Sequence, residues 1–175
     1  MLVWRRSASQ RIARCGVFDL DRVDFAPPEG GPARPFHVLS APDWINVIPL
    51  TDDGHVVLVR QFRFGIEAET LEIPGGMCDP GESPEAAARR ELREETGFDA
   101  GTLESIGWVH PNPPLQTNRC HSFIARALAR GPQSPDPCER ISVVEVRASE
   151  IPSLVRDGRI THALVLAAFH LASLR

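Results

Sequence analysis

The sequence lacks the features that identify several classes of protein. Its four cysteines form no CxxC pair, so the pattern predicts neither a zinc site nor a disulfide framework, and free thiols in a reducing cytoplasm are expected. The N-terminal stretch has no long apolar core, which argues against a signal peptide. The longest apolar run begins at Ala163 and is far too short to span a bilayer. The net charge of −4 provides no basic field for nucleic acid, so we expect a cytoplasmic protein that engages neither membranes nor nucleic acids.

The remaining composition describes an ordinary globular chain. Its 175 residues, 42% of them hydrophobic, suit one domain with a sizeable core. Short β-rich runs alternate with helical stretches, and this mixture predicts one α+β domain with a sheet between helices. Residues 1–43 read as a separate small strand region, and residues 44–175 as the main domain.

Two local patterns predict particular turns and helix ends. The β-rich runs Trp44–Leu50 and His55–Phe62 flank Asp53-Gly54, which is a strong hairpin signal. Further on, Ser83 suits an N-cap, and the proline that follows it suits the first helical position. Gly97 provides a natural C-terminal stop, so a helix is predicted between them.

Three glutamates crowd the end of this predicted helix. At about 100° per residue, Glu91, Glu94 and Glu95 share one face about 100° wide. Each like-charged pair at such spacing costs about 0.2–0.5 kcal/mol on an exposed helix, and a hard divalent cation such as Mg²⁺ removes that cost. Gly75 and Gly76 allow the backbone to approach this face closely, so that a main-chain carbonyl can join the ligands. The alternative is a solvated helix face with ion pairs between arginine and glutamate.

A longer pattern separates these alternatives. The sequence fits G-x5-E-x7-R-E-U-x-E-E-x-G-U, in which U is apolar, and the matching residues are Gly76, Glu82, Arg90, Glu91, Leu92, Glu94, Glu95, Gly97 and Phe98. A chance match of this length is on the order of 10⁻⁸ per window at ordinary residue usage. The segment resembles the Nudix box, and it is complete.

The resemblance implies a fold, a reaction and a metal site. Nudix proteins have an α/β/α sandwich with a mixed sheet and hydrolyse nucleoside diphosphates linked to another group. Glu94 and Glu95 correspond to their principal Mg²⁺ ligands, with Mn²⁺ as the alternative ion. Glu91 corresponds to a further ligand or base, and the carbonyl of Gly75 to a main-chain ligand; Glu95 also counts among the catalytic residues. The Glu82–Arg90 pair is implied to hold the box in shape.

Residues outside the box resemble the ADP-ribose pyrophosphatase branch of the family. The stretch Leu58–Gly76 is typical of it, and so is Pro114, sixteen residues beyond the box. The resemblance implies hydrolysis of ADP-ribose to AMP and ribose 5-phosphate, with Pro114 at the substrate. It also implies a homodimer that is paired through the strands of residues 1–43. Arg63, and less strongly Arg60, suit a positive clamp on the phosphates, although both also suit a strand surface.

One position departs from the pattern of this branch. An acidic base often precedes an arginine in the loop after the box, but Asn118 stands there and cannot take a proton at neutral pH. Three alternatives remain open. Glu91 or Glu139 accepts the proton, or metal-bound hydroxide attacks without a side-chain base.

Two other functions remain as alternatives. The first is a Nudix hydrolase of NADH, diadenosine polyphosphates or another nucleotide sugar. The second is a non-catalytic Nudix module that binds a nucleotide and regulates a partner, although the box of such a module would usually be degraded.

Overall fold

The computed structural model describes residues 3–134 and 140–175, and the chain divides into two compact units. One unit comprises residues 1–42 and 110–119, and the other comprises residues 43–109 and 120–175. The predicted division into 1–43 and 44–175 stays a prediction.

The first unit is built on a three-stranded antiparallel sheet. Its strands are β1 (Arg5–Arg14), β2 (Asp19–Ala26) and β3 (Arg34–Ser40), in the order β1-β2-β3. A Pro/Gly-rich loop separates β2 from β3. The later segment of this unit joins the end of β3 through backbone hydrogen bonds between Leu39 and the residues Leu115 and Thr117.

Among its described residues, the second unit has seven strands, three α-helices and a short 3₁₀-helix at Ala148–Glu150. The strands are β4 (Trp44–Pro49), β5 (His55–Arg63), β6 (Ala68–Glu72), β7 (Gly75–Met77), β8 (Phe98–Val109), β9 (Cys120–Arg130) and β10 (Ser142–Arg147). The helices are α1 (Pro84–Thr96), α2 (Ile151–Arg156) and α3 (Ala163–Ser173). Among the described residues, no helix combines the length and apolar character needed to cross a membrane.

The strands of this unit form two sheets that lie between helices. One sheet has the order β10-β5-β6 and is antiparallel, while the other has the order β7-β4-β9-β8. In the second sheet β4 and β9 are parallel, so the sheet is mixed. Residues of α2 and α3 pack into one hydrophobic core, and residues of α1 pack into the other. The α+β fold with a mixed sheet is therefore confirmed.

The predicted hairpin around Asp53-Gly54 is only partly correct. The turn exists, with a hydrogen bond from the Gly54 N–H to the Thr51 carbonyl and a single bridge between Leu50 and Val56. Beyond that bridge the two strands separate into different sheets, since β4 pairs with β7 and β9, and β5 pairs with β6 and β10. Turn chemistry is local, whereas the choice of strand partner depends on distant apolar surface, and here the distant partners prevail.

Helix α1 begins and ends where the sequence predicts. The Ser83 side chain accepts a hydrogen bond from the backbone N–H of Ala86, and Pro84 occupies the first turn. Gly97 ends the helix in the left-handed conformation, with φ at 74°. Since a cap and a stop fix both ends, the position of every α1 side chain around the axis is also fixed. This register determines which glutamates face the interior.

Candidate metal and substrate site

The three glutamates of α1 share one face of the helix but differ in how far solvent reaches their side chains. Glu95 is 2% exposed, and the side chains of Glu91 and Glu94 are 14% and 39% exposed. A buried carboxylate that lacked compensation would be costly, so this face needs positive charge or hydrogen-bond donors near it. The structure supplies both.

Arg90 is the internal cation of this cluster. Its Nη1 donates to Glu91 Oε1 at 2.8 Å and to Glu94 Oε2 at 3.1 Å. Its other nitrogens donate to the carboxylate of Glu82 at 2.9 and 3.0 Å and to the carbonyl of Met77. The hydrogen bonds with Glu82 are the main cause that raises the pKa of Arg90, and they lower the pKa of Glu82 in return. Arg90 thus ties the loop before α1 to the acidic face.

Two glycines bring the backbone of β7 against the same face. The Gly75 N–H donates to Glu95 Oε2 at 3.0 Å. A Cβ at Gly76 would lie 2.3 Å from Glu91 Oε1, and one at Gly75 would lie 2.4 Å from the carbonyl oxygen of Ile45. A Cβ at Gly75 would meet fixed backbone, so the close approach requires glycine there, whereas a Cβ at Gly76 would force the end of the Glu91 side chain to move.

The donor set of this face fits a hard divalent cation. Glu91, Glu94 and Glu95 present carboxylate oxygens, the ligands that Mg²⁺ and Mn²⁺ prefer, and the Gly75 backbone lies beside them. In the part of the chain that the structure describes, no three acidic, histidine or cysteine side chains are arranged closely enough to hold a metal as they stand. Hydrogen bonds account for the separation of the three carboxylates, because Arg90 binds two of them and the Gly75 N–H binds the third. A bound cation would compete with these donors for the same oxygens.

A cavity of about 490 Å³ adjoins the glycines. Gly75 and Gly76 form part of its wall, and most of the remaining wall is apolar, including Trp44, Ile66 and Val165. The polar side chains in the wall are few, and they are Asn46, Arg63, Thr70, Glu72, Thr161 and His162. An apolar cavity with a few polar groups is the usual form of a small-molecule site.

Arg63 lines this cavity and forms an ion pair with the buried Glu72. Its Nε and Nη2 donate to the two oxygens of Glu72 at 2.8 and 2.7 Å, and the Thr70 hydroxyl donates to the same carboxylate. Burial alone would raise the pKa of Glu72, but these hydrogen bonds and the guanidinium charge together hold it below its ordinary value. Arg60 lies three residues earlier on β5, which puts it on the opposite strand face, and it forms no part of the described cavity wall.

Of three other predicted positions, two belong to the first unit and one falls outside the described residues. Pro114 is exposed in a turn of the first unit. Asn118, in the same unit, is buried, and both polar atoms of its side chain lack a hydrogen-bond partner among the described residues. Glu139 falls outside the described residues.

Of the six polar residues in the described cavity wall, sequence reasoning found only Arg63. Asn46 lies within the apolar run of β4, and Glu72 lies in an apolar stretch of β6. A polar residue inside a buried strand is the signal that could have identified both of them. His162 precedes α3, where only the fold reveals that it faces a cavity.

Comparison with known proteins shows which family the chain belongs to. The model of the NUDIX domain matches residues 42–169. The chain belongs to the Nudix family. This family generally uses divalent metals, which agrees with the oxygen ligands on α1.

Two relatives and one solved structure show what kinds of Nudix protein the chain is similar to. The chain is 31% identical to an ADP-ribose pyrophosphatase of Bacillus subtilis (strain 168), over 96% of this chain and 91% of the relative. It is 27% identical to a methanol dehydrogenase activator of Bacillus methanolicus, over 79% of this chain and 76% of the relative. The crystal structure of an ADP compounds hydrolase superposes with a TM-score of 0.86 at 26% identity, covering 97% of this chain and 92% of that one. With a complete Nudix box, the chain is a Nudix hydrolase.

The Arg63–Glu72 pair makes stability depend on pH. Because the folded state holds the pKa of Glu72 below its ordinary value of 4.5, the pair stabilises the protein above about pH 4.5 and loses that effect as pH falls through the lowered value. We expect Glu72→Gln to lower the free energy of unfolding by about 2 kcal/mol at pH 7, since it removes charged hydrogen bonds. The difference from wild type should shrink below pH 4.5. Urea unfolding of both proteins between pH 3 and pH 7 measures this difference in the free energy of unfolding.

The control for this variant is Glu104→Gln, which removes an exposed ion pair with Arg175. It should change stability by less than about 1 kcal/mol at any pH. A Glu72→Gln difference that stays constant from pH 7 to pH 3 would mean that the charge of Glu72 contributes nothing.

Proposed function

We propose that this Nudix hydrolase cleaves ADP-ribose to AMP and ribose 5-phosphate. The observation that carries the proposal is the cavity whose wall includes Gly75 and Gly76, the glycines that contact the acidic face of α1. A nucleotide in that cavity would bring its pyrophosphate near the oxygens that fit a metal. The Bacillus subtilis relative, matched over 96% of this chain, is named for the same substrate.

Mg²⁺ is the proposed metal, with Mn²⁺ as the alternative. Glu91, Glu94, Glu95 and the Gly75 carbonyl would hold it. A bound ion supplies positive charge for the phosphate oxygens and acidifies water. Arg90 would keep the carboxylates oriented, since it already donates to Glu91 and Glu94.

The proposal also assigns side chains to phosphate binding and to proton transfer. Arg63 lines the cavity and can attract the pyrophosphate, while Glu72 holds its guanidinium in place. Hydrolysis adds one water across the P–O–P bridge, and the proton from that water needs an acceptor. Glu91 and Glu139 are the candidate side chains, and metal-bound hydroxide that attacks without a side-chain base is the third alternative.

Two further substrate contacts remain predictions. Pro114 and Arg60 keep their predicted substrate roles, although Arg60 forms no part of the described cavity wall.

A regulatory role is the second candidate function. One relative, 27% identical, is named as an activator of methanol dehydrogenase. The complete set of box residues in this chain favours catalysis over a purely regulatory module. Other nucleotide substrates, such as NADH or diadenosine polyphosphates, remain alternatives to ADP-ribose.

The cytoplasm is the proposed location. The three described cysteines, Cys15, Cys78 and Cys120, are free thiols. Burial is the main cause that raises the pKa of Cys78 to about 11 and that of Cys120 to about 12, so neither is a ready nucleophile.

Replacing both Glu94 and Glu95 with glutamine should abolish turnover and leave the fold intact. The variant loses two carboxylates of the proposed metal site and also relieves like-charge repulsion on α1. Activity with Mg²⁺, together with circular dichroism, tests this. The matched control is Glu85→Gln, which changes an exposed glutamate in the first turn of the same helix and should keep full activity. Activity retained in the double variant would put the metal site elsewhere.

A substrate panel tests the identity of the nucleotide. We expect ADP-ribose to give AMP and ribose 5-phosphate in the presence of Mg²⁺, measured by chromatography of the products. The panel should include NADH, diadenosine polyphosphates and a nucleoside triphosphate. Intact ADP-ribose beside hydrolysis of one of the others would refute the substrate assignment and leave the family unaffected.

We further propose that the protein is a homodimer that pairs through the first unit. That unit exposes Val3, Trp4, Ile12, Val17 and Phe36, and apolar exposure of this kind often indicates an interface. Light scattering at micromolar concentration should give twice the 19.3 kDa mass of one chain. A mass of one chain would exclude the dimer.

A further inference from the structure

Trp44 faces the cavity from the mixed sheet. In the pairing of β4 with β7, Trp44 lies opposite Met77, and Ile45 lies opposite Gly76. A Cβ at Gly76 would meet the side chain of Glu91, so Gly76 and Ile45 are directed toward α1. Successive residues of a strand alternate between its two faces. Trp44 and Met77 are therefore directed to the other face, where both line the cavity.

The surface around the indole of Trp44 is apolar and uncharged. Trp44 also lies at the register of Cys120 in the parallel pairing of β4 with β9, and Cys120 lines the same cavity. Met77, Trp44 and Cys120 therefore form a row across three strands. Burial is the main cause that raises the pKa of Cys120 to about 12, so its thiol is protonated at neutral pH. The row carries no charge.

Four of the six polar side chains in the described cavity wall form a cluster on other elements. Arg63 and Thr70 both donate hydrogen bonds to Glu72, and His162 lies close enough to Glu72 to interact with it electrostatically. These residues come from β5, β6 and the position before α3, whereas the row of Trp44 comes from the mixed sheet. The cavity thus combines a charged cluster with an uncharged apolar row. A nucleotide has the same division, between anionic phosphates and a flat uncharged base.

The row lies close to the backbone that contacts the acidic face of α1. Gly75 is paired two residues along from Trp44, and such diagonal neighbours on one face of a sheet are about 7–8 Å apart. The N–H of Gly75 donates to Glu95. A base on the indole would therefore have its phosphates, which follow through a single sugar, beside Gly75 and in the cavity that Arg63 lines.

We propose that the indole of Trp44 stacks against the base of the nucleotide substrate. This inference rests on the proposed function and specifies which part of the cavity holds the base. An aromatic side chain stacks on any nucleobase, because every base has a π-face. Ile66, which lines the same cavity, is 61% exposed and offers further apolar contact. A phosphate against this row would lose its hydration without gaining a hydrogen bond.

Fluorescence of Trp44 alone tests the contact independently of turnover. The chain has three tryptophans, so Trp4→Phe combined with Trp108→Phe leaves only Trp44. AMP without divalent metal should quench this fluorescence saturably, because a stacked purine quenches indole emission. Ribose 5-phosphate, which lacks the base, should not. Equal quenching by ribose 5-phosphate would mean that the sugar phosphate occupies the indole, and would overturn the proposal.

Calorimetric binding of AMP measures the contribution of the stack. Trp44→Leu should weaken binding about 5–100-fold, the range for the loss of one base–aromatic contact, and Trp44→Phe should keep most of the affinity. The matched control is Trp108→Leu, which changes a tryptophan of β8 that is 45% exposed and should bind AMP as wild type does. Circular dichroism verifies that the variants are folded. Unchanged affinity in a folded Trp44→Leu variant would overturn the proposal.

The remaining outcomes separate this proposal from the proposed function. AMP binding that depends on Trp44, without turnover of ADP-ribose, would support the stack and refute the proposed reaction. Turnover of ADP-ribose by wild type, with AMP affinity unchanged in Trp44→Leu, would do the reverse. AMP that binds without quenching Trp44 would put the base elsewhere and overturn the stack, and so would the absence of AMP binding to wild type.

Discussion

The site depends on the close contact between the Gly75–Gly76 backbone and the acidic face of α1. Like-charged carboxylates repel one another, and this face brings together three of them, one nearly buried. The structure stabilises them with the Arg90 guanidinium on one side and the Gly75 N–H on the other. A Cβ at Gly75 would collide with backbone, and one at Gly76 would displace the carboxylate of Glu91. The cavity begins at the same glycines, so part of its wall is backbone that contacts the acidic face of α1.

In this arrangement, the positive charge of Arg90 compensates the carboxylates to which a divalent metal ion would bind. Arg90 Nη1 lies within hydrogen-bond distance of two carboxylates, and a divalent ion would take over part of that compensation. Two additional hydrogen bonds to Glu82 anchor the guanidinium, so it can remain in place when the carboxylates turn toward a metal. The hydrogen bonds of Arg90 thus stabilise the acidic face without a metal, and the proposed metal would replace part of them.

Features that depend on neighbours in the chain were predictable from the sequence. The cap at Ser83, the stop at Gly97 and the shared face of the α1 glutamates follow from local geometry, and all are present. The partner of β4 was not predictable, because a turn does not determine which distant strands compete for an edge. Likewise, the pairing of Asn46 with the start of α3 joins positions 118 residues apart, and no local pattern encodes it.

The most direct test of the metal site is Mn²⁺ binding in the absence of nucleotide, followed by electron paramagnetic resonance. Wild type should bind Mn²⁺ saturably, and the affinity should fall at least about tenfold in Gly76→Ala, because the new Cβ would displace the carboxylate of Glu91. Circular dichroism would verify that this variant is folded. Wild-type protein that binds no Mn²⁺, or a folded Gly76→Ala variant that binds it equally well, would contradict a metal site on the acidic face of α1.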